Sequence, residues 1–236
     1  MSRPVVAAFD FDGTLTRGGS VWPYLSAMVG PGKVLFAGLV LAPKLVWAAL
    51  VGGSAADRTK EALFTRTLAG LDAAELEERS AAFGEAHYRR HGRADVRARF
   101  EWHRSRGHRV VIVSASPVIY VGAVAAALGA DGVLATRLES DGEGRMTGRY
   151  DGGNCRGEEK VARLRAWIDA HVRPEADGEP YVWAYGNSRG DLWLLDAADI
   201  GVDVGRLGYV GKLRRFPRLS DLTGANGSTG SDSATR

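Results

Sequence analysis

The sequence of 236 residues is poor in cysteine and carries little net charge. Cys155 is its single cysteine, which excludes an internal disulfide framework and favours a reducing compartment. The net charge is only +3, too small to indicate nucleic-acid binding, which needs clustered Lys and Arg with aromatic residues between them. The first residues also lack the long apolar region of a secretory signal peptide. We therefore expect a cytoplasmic protein that does not bind nucleic acid.

Long apolar runs are also scarce, and the most conspicuous one is interrupted. Residues 34–51, "VLFAGLVLAPKLVWAALV", approach the length of a membrane span. Pro43 and Lys44 lie in the middle of this run, where a proline kinks a helix and a charge is costly in lipid. A single span here would also separate Asp10 from every later strand. We predict buried helices for this segment, with a helix at a membrane interface and a true span as the alternatives.

Short apolar runs of β type predict five strands, at residues 5–11, 109–116, 132–139, 181–187 and 200–205. Each run is apolar on both faces, as parallel strands are when helices cover both sides of a sheet. Helical patterns alternate with these runs, at residues 117–128, 158–171 and 192–197. The alternation predicts an α/β fold with a doubly wound, mostly parallel sheet. Residues 139–150 contain an Asp-Gly turn and predict an antiparallel hairpin.

The region between the first two predicted strands contains helical patterns only, at residues 34–50, 57–68, 73–90 and 95–105. We interpret it as an inserted all-helical cap over the active end of the sheet. The predicted division is a core of residues 1–16 and 101–222 and a cap of residues 17–100. Residues 223–236 are rich in Gly, Ser and Thr and predict a disordered tail.

Polar side chains occur where the predicted strands end or the following helix begins: Asp10, Asp12, Ser114, Ser116, Lys160, Asn187, Ser188 and Asp191. In open α/β sheets, ligands bind beyond the carboxyl ends of the strands, so we expect these side chains to converge. Together they would supply carboxylates, a hydroxyl, an ammonium and an amide oxygen. This set suits phosphoryl transfer.

Attack by a carboxylate on a phosphate ester requires cations, because each opposed charge pair costs about 4 kcal/mol at ~4 Å in an effective dielectric of about 20. Mg²⁺ prefers oxygen ligands, which Asp10, Asp191 and Asn187 can provide. Lys160 adds a second positive charge, and Ser114 can donate a hydrogen bond to a phosphoryl oxygen. An aspartate can attack to form an aspartyl-phosphate, while a neighbouring carboxylate moves the proton.

Four segments resemble the motifs of the haloacid dehalogenase (HAD) superfamily, in the order of that family. "DFDGTLT" at residues 10–16 resembles motif I, D-x-D-G-T, and "VIVSAS" at residues 111–116 resembles motif II. "CRGEEKVARL" at residues 155–164 and "AYGNSRGDLWLL" at residues 184–195 resemble motifs III and IV. The place of the helical insert resembles the C1-capped branch. Details of motifs II to IV resemble the subgroup that includes phosphoserine phosphatase.

The resemblance implies a Rossmann-like HAD core and a Mg²⁺-dependent phosphomonoesterase for a small phosphate ester. It implies that Asp10 is the nucleophile, that Asp12 is the general acid and base, and that Ser114 and Lys160 hold the phosphoryl group. The implied Mg²⁺ ligands are Asp10, the backbone carbonyl of Asp12, Asp191 and Asn187. The implied substrate contacts are Gly13, Thr14, Ser114, Ala115, Lys160 and Arg66.

Two positions depart from the phosphoserine phosphatase pattern. Asn187 stands where that group usually has an aspartate, which removes a formal charge from the metal site. Gly19 stands nine residues after the nucleophile, where phosphoserine phosphatases carry a glutamate that meets the ammonium of the substrate. Arg66 could meet a substrate carboxylate or could serve as a salt-bridged cap residue. Phosphoserine is therefore one candidate substrate among several.

Two other functions stay open beside this one. The apolar cap segment could admit a lipid-like or amphipathic phosphate ester at a membrane surface. Alternatively, the chain could bind phosphate without turning it over, with Asn187 as a sign of lost activity.

Overall fold

The computed structural model describes residues 3–51, 53–175, 178–205 and 215–224. Its centre is a six-stranded sheet of order β4-β3-β2-β1-β5-β6. The strands are β1 (Val5–Phe9), β2 (Arg109–Pro117), β3 (Gly132–Ser140), β4 (Met146–Asp151), β5 (Tyr181–Gly186) and β6 (Ile200–Asp203). All neighbours pair in parallel except β3 and β4, which form the predicted antiparallel hairpin. The doubly wound, mostly parallel fold class is confirmed.

Helices account for most of the remaining described chain: α1 (Val21–Val29), α2 (Pro31–Val51), α3 (Gly53–Leu68), α4 (Ala73–His91), α5 (Ala94–Arg104), α6 (Val118–Leu128), α7 (Glu158–His171), α8 (Leu192–Ala197) and α9 (Leu219–Gly224). Both ends of α7 and α8 agree with the sequence prediction. Helix α1 was not predicted as a separate element. Its Pro23 lies in the first turn, where no backbone donor is lost, and Gly30 ends the helix at a φ of 84°.

Two hydrophobic clusters sandwich the sheet, because alternate residues of each strand point to opposite faces. Ala7 and Phe9 of β1 join a cluster that extends into the helices between β1 and β2 and into α6. Val6 and Ala8 join a second cluster, formed mainly with α7 and α8. Burial on both faces excludes polar side chains from β1 itself. The polar residues that follow β1 therefore lie at the edge of the sheet where the parallel strands end.

The five helices between β1 and β2 pack on the sheet side that carries Ala7 and Phe9. Helix α4 lies along α6 so closely that a Cβ on Gly84 would sit 2.3 Å from the carbonyl oxygen of Tyr120. Helix α5 contacts the sheet directly, with the rings of Phe100 and Phe9 5.2 Å apart. The division into a core and a cap at residues 17–100 stays a prediction.

The predicted tail is described only at Thr223 and Gly224, which end α9 rather than starting an irregular segment. Its other residues lie outside the described part of the chain. Cys155 is buried, and its thiol contacts the carbonyl oxygen of Leu134.

Helix α2 contains the conspicuous apolar run and continues through Pro43. It buries one side through Val34, Ala37 and Leu41, whereas the other side is exposed. The prediction of buried helices therefore holds for one side of α2 only. No helix in the described ranges has both the length and the apolar character that crossing a membrane would require.

A buried histidine connects α5 to the sheet. Nε2 of His103 lies 2.8 Å from Oη of Tyr185, and Nδ1 lies 2.8 Å from Nδ1 of His108. The Nε group of Arg99 also donates to Tyr185. Burial, followed by the positive charges of Arg99 and Arg106 and the neighbouring His108, lowers the pKa of His103 from 6.5 to about 2. His103 is therefore neutral in the folded protein at any ordinary pH.

We expect the free energy of unfolding to fall as the pH drops below 6.5, the ordinary pKa of this imidazole. The unfolded chain then gains a proton on His103 that the folded chain does not bind, which lowers stability by up to ~1.4 kcal/mol per pH unit. Urea unfolding of His103→Gln over a pH series should show a shallower acid dependence. His171→Gln, at an exposed position, is the matched control. Equal slopes for wild type and His103→Gln would contradict the assignment.

Candidate active site

Three predicted residues meet in one buried ion cluster beyond the ends of the parallel strands. Asp10 follows β1, Lys160 lies in the first turn of α7, and Asp191 lies in the turn between β5 and α8. The Nζ atom of Lys160 donates to Oδ1 of Asp10 and to Oδ1 of Asp191, each at 2.6 Å. None of the three is more than 5% exposed. The structure thus brings together residues that are up to 181 positions apart in the chain.

The charges in this cluster are set by burial and by one another. Burial, followed by the charge of Asp191, raises the pKa of Asp10 to about 7, although Lys160 opposes the shift. Burial would also raise the pKa of Asp191, but Lys160 and hydrogen bonds from Ser188 hold it below its ordinary value. Burial disfavours the charged form of Lys160, yet the two carboxylates raise its pKa. One ammonium therefore faces two acidic groups, and a further positive charge would be favourable in this cluster.

The loop after β5 fixes the orientation of Asp191. Its Oδ2 atom accepts from the backbone N–H of Ser188 at 3.0 Å, from the Ser188 hydroxyl at 2.8 Å and from the N–H of Asn187 at 3.2 Å. Gly186 gives the side chain its space, since a Cβ there would lie 2.5 Å from Cβ of Asp191. Both oxygens of Asp191 are thus held in place before any ligand binds.

The turn after β1 contacts the same loop. Oγ1 of Thr14 donates to Oδ1 of Asn187 at 3.2 Å. Gly13 has a φ of 80°, and a Cβ at this position would lie 2.1 Å from Nδ2 of Asn187. A side chain at residue 13 would therefore be strained by its backbone and blocked by Asn187. Glycine is required here both for the turn and for this close approach.

Asp12 lies in the same five-residue turn, Phe11–Leu15, with its carboxylate held from two sides. Oδ1 accepts from the backbone N–H of Ser20 at 2.9 Å, and Oδ2 accepts from the Ser116 hydroxyl at 2.5 Å. The Ser20 hydroxyl lies 2.7 Å from Oη of Tyr120. This hydrogen-bonded chain joins Asp12 to β2 and α6, so its carboxylate has a defined direction.

Ser114 and Ala115 end β2 beside the turn that carries Asp12. The Ser114 hydroxyl is buried and accepts from the backbone N–H of Ser116 at 3.0 Å. The carbonyl oxygen of Ala115 accepts from Lys60 at 2.7 Å and from Thr136 at 2.8 Å. Within the described residues, no direct hydrogen bond joins Ser114 to the Lys160 cluster.

The predicted substrate contact Arg66 and the departing position Gly19 lie apart from these contacts. Arg66 is exposed near the end of α3, and its side chain has no hydrogen bond or ion pair with the described residues. Gly19 is exposed, and no atom lies within 4 Å of the place where its Cβ would be. The structure therefore leaves the role of Arg66 open and shows free space at Gly19.

The sequence placed Ser116 among the strand-end polar residues, two residues after Ser114 on the same strand face, but assigned it no role. Sequence reasoning missed Lys60 and Arg93. Lys60 had no signal in the sequence, since only the packing of α3 brings it to the end of β2. Burial lowers its pKa to about 8, against the opposing charges of Asp12 and Asp57. Arg93 donates to the carbonyl oxygens of Gly13 at 3.2 Å and of Val204 at 2.5 Å.

The donor atoms around the Lys160 cluster suit a hard divalent cation. No group of three His, Cys, Asp or Glu side chains suited to a metal occurs in the described ranges. Asp10 and Asp191 supply two carboxylates at Lys160. The amide oxygen of Asn187 and the backbone carbonyl of Asp12 are the two further ligands that the sequence predicts. Oxygen donors of this kind fit Mg²⁺, which also retains several waters. They do not fit a soft metal that requires thiolate or imidazole.

Comparison with known proteins places this geometry in a family. The sequence profile of the haloacid dehalogenase-like hydrolases matches residues 7–196. Protein CicA of Caulobacter vibrioides is 39% identical over 197 residues, which cover 84% of each chain. A Bordetella pertussis protein of unknown function has a structure that matches with a TM-score of 0.70 and 22% identity, covering 96% of this chain and 97% of that one.

A substrate-bound phosphoserine phosphatase structure matches with a TM-score of 0.64 and 16% identity, covering 95% of this chain and 99% of that one. At such low identity the two solved structures show a shared fold only. The profile covers most of the chain, including all four motifs that the sequence analysis compared. The protein belongs to the family of haloacid dehalogenase-like hydrolases.

Proposed function

We propose that the protein is a Mg²⁺-dependent phosphomonoesterase that works through an aspartyl-phosphate on Asp10. The observation that carries the proposal is the buried contact of Lys160 with Asp10 and Asp191. A nucleophile beside a cation, with a second carboxylate two residues away, is the arrangement that phosphoryl transfer to a carboxylate needs. The likenesses to CicA and to phosphoserine phosphatase support the hydrolase family and the fold, and the contacts of Asp10, Lys160 and Asp191 support the chemistry.

In the first step, a carboxylate oxygen of Asp10 attacks phosphorus and the P–O bond to the leaving group breaks. Asp12, oriented by Ser20 and Ser116, gives its proton to the departing alkoxide. In the second step, Asp12 takes a proton from water while the water oxygen attacks phosphorus, the P–O bond to Asp10 breaks, and inorganic phosphate and the free Asp10 carboxylate result. When bound, Mg²⁺ supplies positive charge for the phosphoryl oxygens.

Lys160 and Ser114 each keep a hydrogen-bond donor that can bind a phosphoryl oxygen. An ammonium has three N–H donors, and the two hydrogen bonds of Lys160 leave one for a phosphoryl oxygen. The Ser114 hydroxyl accepts from Ser116 and keeps its own proton to donate. Ala115, Gly13 and Thr14 lie beside these groups and complete the proposed phosphoryl contacts, with Mg²⁺ held by Asp10, the Asp12 carbonyl, Asp191 and Asn187.

The helices between β1 and β2 close over this site. The Lys60 contact with Ala115 and the Ser20 contact with Asp12 both reach from that insert to the strand ends. We propose that residues 17–100 form the cap and that it excludes water during attack. Helix α5, which packs on the sheet, is the part of the insert that anchors it.

The proposed substrate is a phosphate monoester whose leaving group carries no ammonium. Gly19 provides no carboxylate where a phosphoserine phosphatase is expected to have one. Asp57 of α3, whose charge acts on Lys60, is already bound by Asn154 at 2.6 Å and lies 3.8 Å from Arg156. An ammonium would therefore meet the positive charge of Lys60 beside a carboxylate that is already engaged. Arg66 stays a predicted contact for an acidic substrate group.

Asp10→Asn should reduce Mg²⁺-dependent phosphate release to the assay background, because the amide cannot attack phosphorus. Removing Mg²⁺ with EDTA should have the same effect on wild type.

Asp12→Asn should slow turnover by about 10²–10⁴-fold and let phosphate accumulate on Asp10. The measurement is phosphate release from small esters, with trapping of hydroxylamine-labile phosphate on the quenched protein. Turnover by folded Asp10→Asn, or wild type that binds phosphate esters without releasing phosphate, would contradict the proposal.

Lys160→Met should lower the free energy of unfolding by about 3–5 kcal/mol in EDTA at neutral pH, as well as abolishing activity. Two buried acidic groups then lose their shared counter-charge. Urea unfolding provides the measurement, and Lys33→Met, at an exposed lysine of α2, is the control that should match wild type. A Lys160→Met protein as stable as wild type would show that the ion cluster does not exist in solution.

Gly19→Glu should improve the use of phosphoserine relative to 3-phosphoglycerate, which differs from it in having a hydroxyl instead of the ammonium. We expect kcat/KM for phosphoserine to rise about fivefold relative to kcat/KM for 3-phosphoglycerate, because a partly exposed ion pair contributes ~1 kcal/mol. Gly19→Gln is the neutral control of equal size. Equal changes for both esters would contradict the proposed recognition, and wild type that prefers phosphoserine would contradict the substrate class.

A further inference from the structure

Helix α2 exposes a continuous apolar stripe to solvent. We define the α2 face by the six residues Leu35, Phe36, Leu39, Val40, Val46 and Trp47, which are 43–65% exposed. Their spacing of one, three and four residues, with a longer step across Pro43, places them along one side of a helix. The opposite side is buried against α1 and α3. The stripe is therefore a face of a folded helix and not a loose segment.

Trp22 of α1 extends this face. Its side chain is 46% exposed and packs over Gly38, where a Cβ would lie 2.9 Å from the ring. Single exposed apolar residues are normal on soluble proteins, but contiguous patches indicate a binding surface. Outside α1 and α2, Trp193 is the one large apolar residue among the described ones that is exposed to a similar degree. The apolar exposure is thus concentrated at one place.

The charge of the surrounding segment has one sign. From Gly13 to Ala56 the sequence contains no Asp or Glu, whereas Arg17, Lys33 and Lys44 are positive. Lys33 and Lys44 are both exposed on α2 itself. A lysine beside an apolar face can lay its aliphatic stem along that face and keep its ammonium among phosphate groups. Apolar residues, tryptophan and lysine on one helix are typical of helices that lie in a membrane interface.

This charge pattern argues against a second copy of the chain as the occupant. In a symmetric contact, the α2 face of one copy meets the α2 face of the other. Lys33 and Lys44 would then approach the same two lysines of the other copy, and residues 13–56 offer no acidic residue to pair with them. Like charges across an interface are unfavourable. An anionic lipid surface provides both the apolar volume and the opposite charge.

We propose that the α2 face binds in the headgroup region of a lipid bilayer that contains anionic lipids. The helix lies parallel to the membrane, with the apolar stripe towards the acyl chains and Lys33 and Lys44 at the phosphates. Helix α3 lies against α2 and carries Lys60, which contacts Ala115 at the strand ends. The site is thus held one helix away from the lipid. The proposal does not depend on the phosphatase chemistry.

Flotation of the full chain with vesicles tests this directly. The vesicles are phosphatidylcholine alone or phosphatidylcholine mixed with phosphatidylglycerol. Wild type should float with the mixed vesicles, and Leu39→Glu should reduce the partition coefficient about tenfold, the loss expected when one buried leucine is removed from lipid. Trp193→Glu makes the same kind of change at an exposed apolar residue outside the face and should bind as wild type does. Both positions are exposed, so circular dichroism should show folded variants.

The lysines give a second, independent readout. The double variant Lys33→Gln and Lys44→Gln should lose about fivefold in binding per lysine on the mixed vesicles and little on phosphatidylcholine alone. Wild type that binds neither vesicle would overturn the proposal, as would Leu39→Glu that binds normally. A wild-type dimer in light scattering that Leu39→Glu converts to a monomer would overturn it in favour of a second copy. Phosphate release from a soluble ester should be equal in wild type and Leu39→Glu.

Discussion

The position of one ammonium between two buried acidic groups is the constraint on which the site depends. Lys160 connects the end of β1, the start of α7 and the loop after β5, three elements that meet only in the folded chain. Each acidic group would be costly to bury alone, and together they exceed the charge of the lysine. This imbalance favours a further bound cation, which fits the Mg²⁺ that we propose for the site.

The turn after β1 is where the helical insert and the ion cluster influence each other. Arg93 at the start of α5 donates to the carbonyl of Gly13, and its backbone N–H donates to the carbonyl of Leu15. On the other side, Asp12 accepts from Ser20, just before α1. The turn after β1 is therefore hydrogen-bonded to the insert on both sides, through Arg93 and through Ser20.

The sequence predicted those features that follow from local pattern and from one general rule of α/β sheets. Apolar runs located the five parallel strands and the hairpin, and the rule that strand ends converge predicted that Asp10, Lys160 and Asp191 lie together. Lys60 and Arg93 could not be found in this way, because their place depends on how the insert packs on the sheet. The sequence also did not distinguish the buried side of α2 from its exposed side. A helix that is apolar on most sides has no polar stripe to mark the side that faces solvent.

The absence of acidic residues from Gly13 to Ala56 affects two properties that are otherwise unrelated. It leaves Gly19 where a phosphoserine phosphatase is expected to have a carboxylate, on which the proposed discrimination against an ammonium depends. At the outer side of the insert, the same absence leaves the apolar stripe of α2 with lysines only, which would repel another copy of itself and attract anionic headgroups. An aspartate or glutamate anywhere on these two helices would weaken one effect or the other. Many apolar sequences would form the same helices, but few would keep both the inner and the outer side of residues 13–56 free of negative charge. The composition of this segment is therefore more informative about function than its helical pattern.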